Sequence, residues 1–445
     1  MKFYLQSLGC PKNLVDSQGM TRLLEDMGHQ VVDSARQAEV LVVNTCGFIR
    51  DAREESLTEL QRLARKKRPG QVLIAAGCLS QLWGKRLVDR VPGVDALLGT
   101  RRWGEIDRVA AELQAGGGSP ATPRPAPVAL LGDPLLVGGG HPARSRSFAR
   151  QGATAYLKIG EGCSAPCSFC TIPTIKGPAV SRPVEAVTAD AVELVGQGVQ
   201  EIILIAQDTT AYGRDWGSRD GLPGLVQAIL AAVPELHWLR LMYAYPGHIS
   251  RRLIAVMAGD PRVCHYLDLP LQHAHPAVLR RMKRPADIAR TRRLIADLRA
   301  ELPDLALRTS LIVGYPGETE AEFQALLDFV EEIRFDRVGA FVYSREEGTP
   351  AAALPNPLPE PVKAERRERL LALQQGISLE SNRAQVGRTL AVLVEGQGDG
   401  LCVGRSYRDA PEIDGLVLLP GQAPIGQIVA VRITGAMEYD LVGEI

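Results

Sequence analysis

Ala155-Tyr156-Leu157-Lys158-Ile159-Gly160-Glu161-Gly162-Cys163-Ser164-Ala165-Pro166-Cys167-Ser168-Phe169-Cys170 joins an apolar run to three cysteines within eight residues. The run reads as a strand, and the cysteines as the irregular loop leaving its carboxyl end. Thiolates this close can converge on one metal centre, and soft sulfur ligands select zinc, copper(I) or an iron–sulfur cluster. A closed structural zinc site wants four ligands, and this loop supplies three. A cubane cluster on three cysteines keeps one iron open, which suits chemistry. The spacings are too short for ordinary disulfide geometry.

The strand opens a series. From 151 to 382, apolar runs near 154–160, 201–206, 238–244, 266–271, 306–313 and 337–343 alternate with helical patterns near 185–197, 222–232, 248–257, 287–301, 319–332 and 360–382. Six βα units of this length predict a partial, TIM-like (β/α)6 barrel with its chemistry on loops at the carboxyl ends of the strands.

Residues 1–113 show the same alternation on a smaller scale. Strands are expected at Phe3–Leu8, Gln30–Val32, Glu39–Asn44, Val72–Ala76 and about Asp95–Leu98. Helices are expected at about Asp16–Met27, about Asp51–Lys67 and after the Val72–Ala76 strand to about Arg90. This pattern predicts a doubly wound parallel sheet. Cys10, Cys46 and Cys78 each fall just past a predicted strand end, and such ends share one edge of an open α/β sheet. Three thiols 36 and 32 residues apart can therefore meet as a second three-cysteine cluster.

Residues 114–150 carry Gly116-Gly117-Gly118-Ser119-Pro120, prolines at 123, 125 and 127, and Gly138-Gly139-Gly140. They read as a flexible linker. In 383–445, short apolar runs at Leu390–Val394, Leu416–Leu419, Gln427–Thr434 and Tyr439–Val442 predict a small all-β barrel.

Composition narrows the class. The chain has 445 residues, 45% hydrophobic, and its 51 basic side chains equal its 51 acidic ones. Several domains are expected, and no bulk charge advertises nucleic acid. The sequence lacks an apolar stretch of membrane-spanning length, so a cytoplasmic protein without membrane attachment is the expectation. Eight cysteines in a reducing compartment point to metal or catalysis rather than disulfides.

Cys163-x-x-x-Cys167-x-x-Cys170, with an aromatic before the last cysteine, resembles the signature of radical S-adenosylmethionine (SAM) enzymes. The added trio Cys10, Cys46 and Cys78 resembles the methylthiotransferases of that superfamily. Leu8-Gly9-Cys10-Pro11-Lys12-Asn13-Leu14-Val15-Asp16-Ser17 is similar to the branch acting on ribosomal protein S-twelve. Gln207-Asp208-Thr209-Thr210-Ala211-Tyr212-Gly213 and the run Gly404 to Gly415 are similar to the same branch.

The resemblance implies two 4Fe-4S clusters and SAM, held on the two cysteine trios, with Phe169 near the adenine. It implies an OB-like TRAM barrel at the C-terminus, and radical insertion of a methylthio group at the β-carbon of an aspartate. It further implies a sulfur donor, an electron donor such as flavodoxin or ferredoxin, and a monomeric chain. Gln207 stands where many relatives carry a Gly-Gly-Glu run that holds the SAM amino group, and Gly314 is placed beside the adenine. His273 and His275 read as a hydrogen-bonded loop, and Cys264 and Cys402 as structural.

Two other readings compete. One is a tRNA adenosine methylthiotransferase with the same clusters; the other is a non-catalytic, metal-containing RNA-binding protein. Residues 381–445 hold five basic and eight acidic side chains, a balance that suits a basic protein partner better than RNA.

Overall fold

The computed structural model describes residues 1–115, 128–132 and 146–445. It forms two compact units. The first comprises Met1–Ala149, Tyr156–Ala165 and Cys170–Ser181, and the second Arg150–Ala155, Pro166–Phe169 and Arg182–Ile445. Among the described residues no helix is long and apolar enough to cross a membrane.

The first unit begins with β1 (Lys2–Ser7), α1 (Pro11–Asp26), β2 (Gln30–Val31), β3 (Val40–Thr45), α2 (Arg50–Lys66) and β4 (Val72–Gly77). There follow α3 (Cys78–Trp83), α4 (Lys85–Arg90), β5 (Ala96–Gly99), α5 (Ile106–Ala115) and β6 (Val128–Leu130). The strands form one parallel sheet in the order β2-β1-β3-β4-β5-β6. Val40 and Val42 pack with α1 and α5 on one face, and Leu41 and Val43 with α2, α3 and α4 on the other. A strand covered on both faces cannot alternate, which explains the unbroken apolar run at 40–43.

Three expectations need correction here. The first helix starts at Pro11 rather than Asp16, because proline already has helical φ and its missing N–H would have no partner in a first turn. The single helix expected between the Val72–Ala76 strand and about Arg90 breaks at Gly84 into α3 and α4. The segment 114–150 is not all linker: Val128–Leu130 adds β6 beside β5. Its three-residue apolar run was hidden by the prolines before it. The glycine and proline clusters at 116–127 and 138–140 lie outside the described residues.

Next come β7 (Phe148–Gln151), β8 (Thr154–Lys158), β9 (Gly160–Glu161), α6 (Ile172–Lys176) and β10 (Val180–Ser181). An antiparallel ladder between β9 and β10 closes the base of the cysteine loop. The chain continues as α7 (Val184–Gly196), β11 (Glu201–Ile205), α8 (Gly221–Ala232), β12 (Trp238–Leu241), α9 (Arg251–Gly259) and β13 (Val263–Asp268). Then follow α10 (Pro276–Arg281), α11 (Ile288–Glu301), β14 (Ala306–Val313), α12 (Glu320–Ile333), β15 (Arg337–Val342) and α13 (Glu360–Arg383). The sheet order β15-β14-β13-β12-β11-β8-β7 contains all six expected strands and adds β7 at the edge. α12 is fixed by a capping box in which Thr319 and Glu322 satisfy each other's backbone N–H groups.

The C-terminal strands β16 (Thr389–Gly398), β17 (Leu401–Ser406), β18 (Val417–Pro420), β19 (Ile428–Ala436) and β20 (Leu441–Glu444) close a barrel in the order β16-β17-β18-β20-β19. The sequence pattern missed β17 because Arg405 and Ser406 are polar, yet both are buried. Arg405 Nη2 donates to Glu201 Oε2 at 2.6 Å and to Glu395 Oε1 at 2.6 Å, and Arg240 Nε donates to Glu201 Oε1 at 2.6 Å. This ion network ties β17 to β11 and β12 inside the second unit. Burial alone would raise the Glu201 carboxyl, but the guanidiniums of Arg240 and Arg405 pull it down from about 4.5 to about 2.

A depressed carboxyl pKa stabilises the fold above the unfolded value and loses that contribution as pH falls toward the folded one. Thermal midpoints should therefore drop between pH 4.5 and pH 2, with Glu201 contributing about 3 kcal/mol of the loss. In Glu201→Gln this share of the acid dependence should vanish, and stability at pH 7 should fall by about 3–5 kcal/mol because both guanidiniums lose their partner.

Candidate functional site

Cys10 caps the start of α1 directly after β1, Cys46 follows β3, and Cys78 opens α3 directly after β4. β1, β3 and β4 are parallel neighbours, so the three thiols share one sheet edge. The approach is tight. Gly9 has φ +87°, and a Cβ there would lie 2.7 Å from Cys46 Cβ and 3.0 Å from its Sγ. Only glycine tolerates both constraints.

Asn13 stitches these loops together. Its Nδ2 donates to the carbonyls of Leu8 and Thr45, both at 3.0 Å, and its Oδ1 accepts from Cys78 Sγ at 3.7 Å. Asn44 Nδ2 returns a bond to the Asn13 carbonyl at 2.8 Å, and Cys46 N–H donates to Ser56 Oγ at 3.0 Å. Asn13, Asn44 and Ser56 are site-building residues that the sequence pattern did not single out, although Asn13 stands within the Pro-Lys-Asn-Leu motif.

Burial raises the Cys46 thiol, and it pushes Cys78 up to about 12 against the opposing charge of Lys176. Such thiols keep their protons until a metal displaces them. Among the described residues no three His, Cys, Asp or Glu side chains converge closely enough to hold a single metal ion. A cubane is ligated through separate irons, so its thiolates stand further apart. Three thiols on one edge, Cys46 and Cys78 buried and Cys10 half-buried, fit that group.

The loop Cys163–Cys170 is pinned along its length. Cys163 N–H donates to the Gly177 carbonyl at 3.0 Å. At Gly162, with φ +77°, a Cβ would meet the Pro178 carbonyl oxygen at 2.1 Å. The sulfurs face donors: Ala165 N–H to Cys163 at 3.4 Å, Ile172 N–H to Cys170 at 3.4 Å, and Arg284 Nη1 to Cys167 at 3.7 Å. Donors aimed at sulfur stabilise the thiolate that a cluster needs. Arg284 also stacks on Tyr245, 4.2 Å from the ring centroid.

Ser168 is buried between the cysteines. It shares a 2.8 Å bond with Tyr315 Oη and donates Oγ–H to the Arg281 carbonyl at 2.7 Å. Its N–H donates to Met282 O at 3.0 Å, and its carbonyl accepts from Ala351 N–H at 2.8 Å.

Phe169 packs, half-buried, against Val278, Met282, Tyr315, Tyr343 and Ala351. Gln207 lies just past β11, half-buried. Its neighbour Asp208 is taken up by Thr210 Oγ1 at 2.6 Å, Ala211 N–H at 3.1 Å and His248 Nδ1 at 2.9 Å. Gly314 N–H donates to Glu318 Oε1 at 3.1 Å, and Glu318 pairs with Arg366 at 2.6 Å. Glu318 thus lies just before α12 and braces the turn from β14.

His273 Nδ1 accepts from His275 N–H at 2.9 Å, and His275 Nδ1 from Ala277 N–H at 3.3 Å, while Glu318 lies 3.6 Å from His273 Nε2 and Glu322 3.7 Å from His275 Nδ1. Cys264 is buried within β13, where burial raises it to about 12. Cys402 lies in the barrel core, its Sγ accepting from Ala423 N–H at 3.2 Å. A cavity of about 750 Å³ opens between Pro246–Ile249 and Pro285–Asp297, and none of the predicted site residues lines it.

This architecture, a cysteine-loop parallel sheet followed by a five-stranded barrel, is that of a radical SAM enzyme with an appended TRAM barrel. Family profiles agree: residues 157–330 match the radical SAM superfamily, 386–445 the TRAM domain, and 2–99 uncharacterized protein family UPF0004. The chain is 54% identical to the ribosomal protein uS12 methylthiotransferase RimO of Roseiflexus sp., over 100% of this chain and 97% of the relative. Against the RimO of Chloroflexus aurantiacus it is 51% identical, over 100% and 99%.

The radical SAM methyltransferase TsrM from Kitasatospora setae, solved with cobalamin and a [4Fe-4S] cluster, shares the fold at TM-score 0.56 and 16% identity, over 90% of this chain and 80% of that one. The chain belongs to the RimO family of ribosomal protein uS12 methylthiotransferases. An iron–sulfur cluster and SAM belong to the cofactor set of this class.

Ser168→Ala removes two side-chain bonds from the middle of the cysteine loop. It should cost about 1–3 kcal/mol of stability and speed the loss of iron from the loop to a chelator, followed by absorbance of the reconstituted protein. Unchanged iron retention would show that the backbone bonds of Ser168 suffice.

Proposed function

We propose that this chain inserts a methylthio group at the β-carbon of an aspartate of ribosomal protein uS12, using two 4Fe-4S clusters and SAM. Cys163, Cys167 and Cys170 would hold the cluster that binds SAM, and Cys10, Cys46 and Cys78 the cluster that carries the sulfur. The observation that carries this reading is a second set of three thiols, built at the ends of β1, β3 and β4 with Asn13 between them. When bound, the clusters and SAM supply the one-electron chemistry needed at an unactivated C–H bond, which no acid–base group could attack.

The protein's own contribution is ligation and orientation. Donors from Ala165, Ile172 and Arg284 stabilise the three thiolates of the loop. Phe169, Gln207 and Gly314 are proposed to border SAM, on loops at the carboxyl ends of β8, β11 and β14. The proposed domain limits are 1–113, 114–150, 151–382 and 383–445, with β6 and the start of β7 falling inside the second segment. A sulfur donor and a low-potential reductant such as flavodoxin or ferredoxin complete the scheme, acting on a monomer in the cytoplasm.

Exposed charges on the barrel favour a protein substrate over tRNA. Arg383, Arg388 and Arg432 are exposed against Glu395, Asp399, Glu412, Glu438 and Glu444. RNA-tracking modules are basic.

Anaerobically reconstituted protein should hold about eight irons, and replacing either cysteine trio with alanine should halve that count. Mass spectrometry of ribosomal proteins from cells with and without the gene should show one methylthio group on uS12 that depends on it. The same gain confined to tRNA would refute the reading.

A further inference from the structure

Four ionisable side chains lie buried together in the first unit. Lys158 donates to Asp16 Oδ1 and, at 2.6 Å, to Glu161 Oε2. Lys176 donates to Glu161 Oε1 and stands 3.7 Å from Asp16 Oδ2. The side chains of Lys158 and Lys176 are 0% and 2% exposed, and those of Asp16 and Glu161 4% and 11%. Two cations and two anions leave the group neutral. Burying four charges costs several kcal/mol per ion unless each is fully paired, and ordinary packing needs none of them.

The places of these residues in the chain give the group a direction. Asp16 lies six residues after Cys10, on α1. Lys158 and Glu161 lie just before Cys163, and Lys176 lies six residues after Cys170. Arg101 fixes the last of these by donating to the Lys176 carbonyl and, at 3.4 Å, to that of Pro178. α6, which ends at Lys176, packs against α3, which begins at Cys78. Burial works against the Lys176 charge, but the carboxylates of Glu161 and Asp16 hold its pKa well above the ordinary lysine value. The same ammonium acts on both the Cys46 and Cys78 thiols. It is a buried positive charge on the helix packed against α3, paired with two carboxylates.

We propose that the quartet Asp16, Lys158, Glu161 and Lys176 sets the reduction potential of the iron held by Cys10, Cys46 and Cys78, with Lys176, at the end of the helix packed against α3, as its leading cation. This rests on the two-cluster reading above. Reduction adds one negative charge to the cluster, so a nearby cation favours it and a nearby anion opposes it. These are positioning residues, since none ligates the metal.

The sign of the charge change separates this role from a structural one. In full-length protein with Cys163, Cys167 and Cys170 changed to alanine, only the N-terminal trio can hold iron. Its reduced fraction is then followed by electron paramagnetic resonance during a redox titration.

Lys176→Met should lower the reduced-to-oxidised ratio at the parent midpoint by about tenfold, equivalent to ~59 mV for one electron. Glu161→Gln and Asp16→Asn should raise it, and Lys176→Arg should restore the parent value. Shifts of one common sign, or no shift with iron retained, would overturn the inference. If a lysine variant loses its iron, the two carboxamide variants decide alone, and a potential that fails to rise sinks the idea. A parent chain that binds no iron at all refutes the two-cluster reading itself, and this inference with it.

Discussion

A parallel strand delivers its carboxyl end to the same edge as its neighbours, and the arrangement of cysteines depends on this constraint. Cys10, Cys46 and Cys78 are far apart in sequence, yet β1, β3 and β4 bring them to one edge with special turns only at Gly9 and Gly77, which precede Cys10 and Cys78 and both have positive φ. Inside the sheet, β3 and β4 are buried along their whole length and carry almost no polar side chains. Hydrogen-bonding capacity gathers where the strands stop, in Asn13, Asn44, Thr45 and Ser56. A buried thiol is a poor hydrogen-bond donor, so this scaffold of amides and hydroxyls, rather than the sulfurs, holds the loops in place.

Buried charge recurs in both units, and in each the ions are paired by more than one partner. Glu201 is shared between Arg240 and Arg405, which joins the barrel strand β17 to the sheet strands β11 and β12. Arg337 with Asp409 and Arg408 with Asp336 repeat the device between the sheet and the segment after β17. These bridges explain why a short polar run, Arg405 to Asp409, is buried rather than exposed. The quartet in the first unit obeys the same rule of full pairing but has sulfur as its neighbour. That difference turns a common way of holding parts together into a source of local field.

Much of this was readable from the sequence, for a physical reason. Strands buried on both faces appear as apolar runs, and amphipathic helices keep their period, so the main βα units could be placed to within a few residues. Cysteine spacing is a local signal, and the loop at 163–170 could be read directly. What escaped was non-local or atypical. β17 has polar residues, Arg405 and Ser406, that meet Glu201 and Arg240 more than 160 residues away. β6 is three residues long on an edge, and α6 and α10 are single short turns whose prolines read as breaks. Asn13, Ser168 and Lys176 carry no local mark of their roles, because each acts on groups that only the fold brings near.

The barrel shows why a fold name alone does not choose a partner. Counting charges in the sequence treats Arg405 and Arg408 as part of a possible RNA surface. The structure removes both, since Arg405 is consumed by Glu201 and Glu395, and Arg408 by Asp336. Asp409 is withdrawn as well, by Arg337. With Glu395 engaged by Arg405, three exposed arginines then remain against four exposed carboxylates, one of the three, Arg388, standing 3.9 Å from Asp304. A polyanion gains affinity by releasing counterions from its phosphates to fixed cations, and this surface has few to offer. A basic ribosomal protein gains from the same carboxylates that RNA would meet as repulsion.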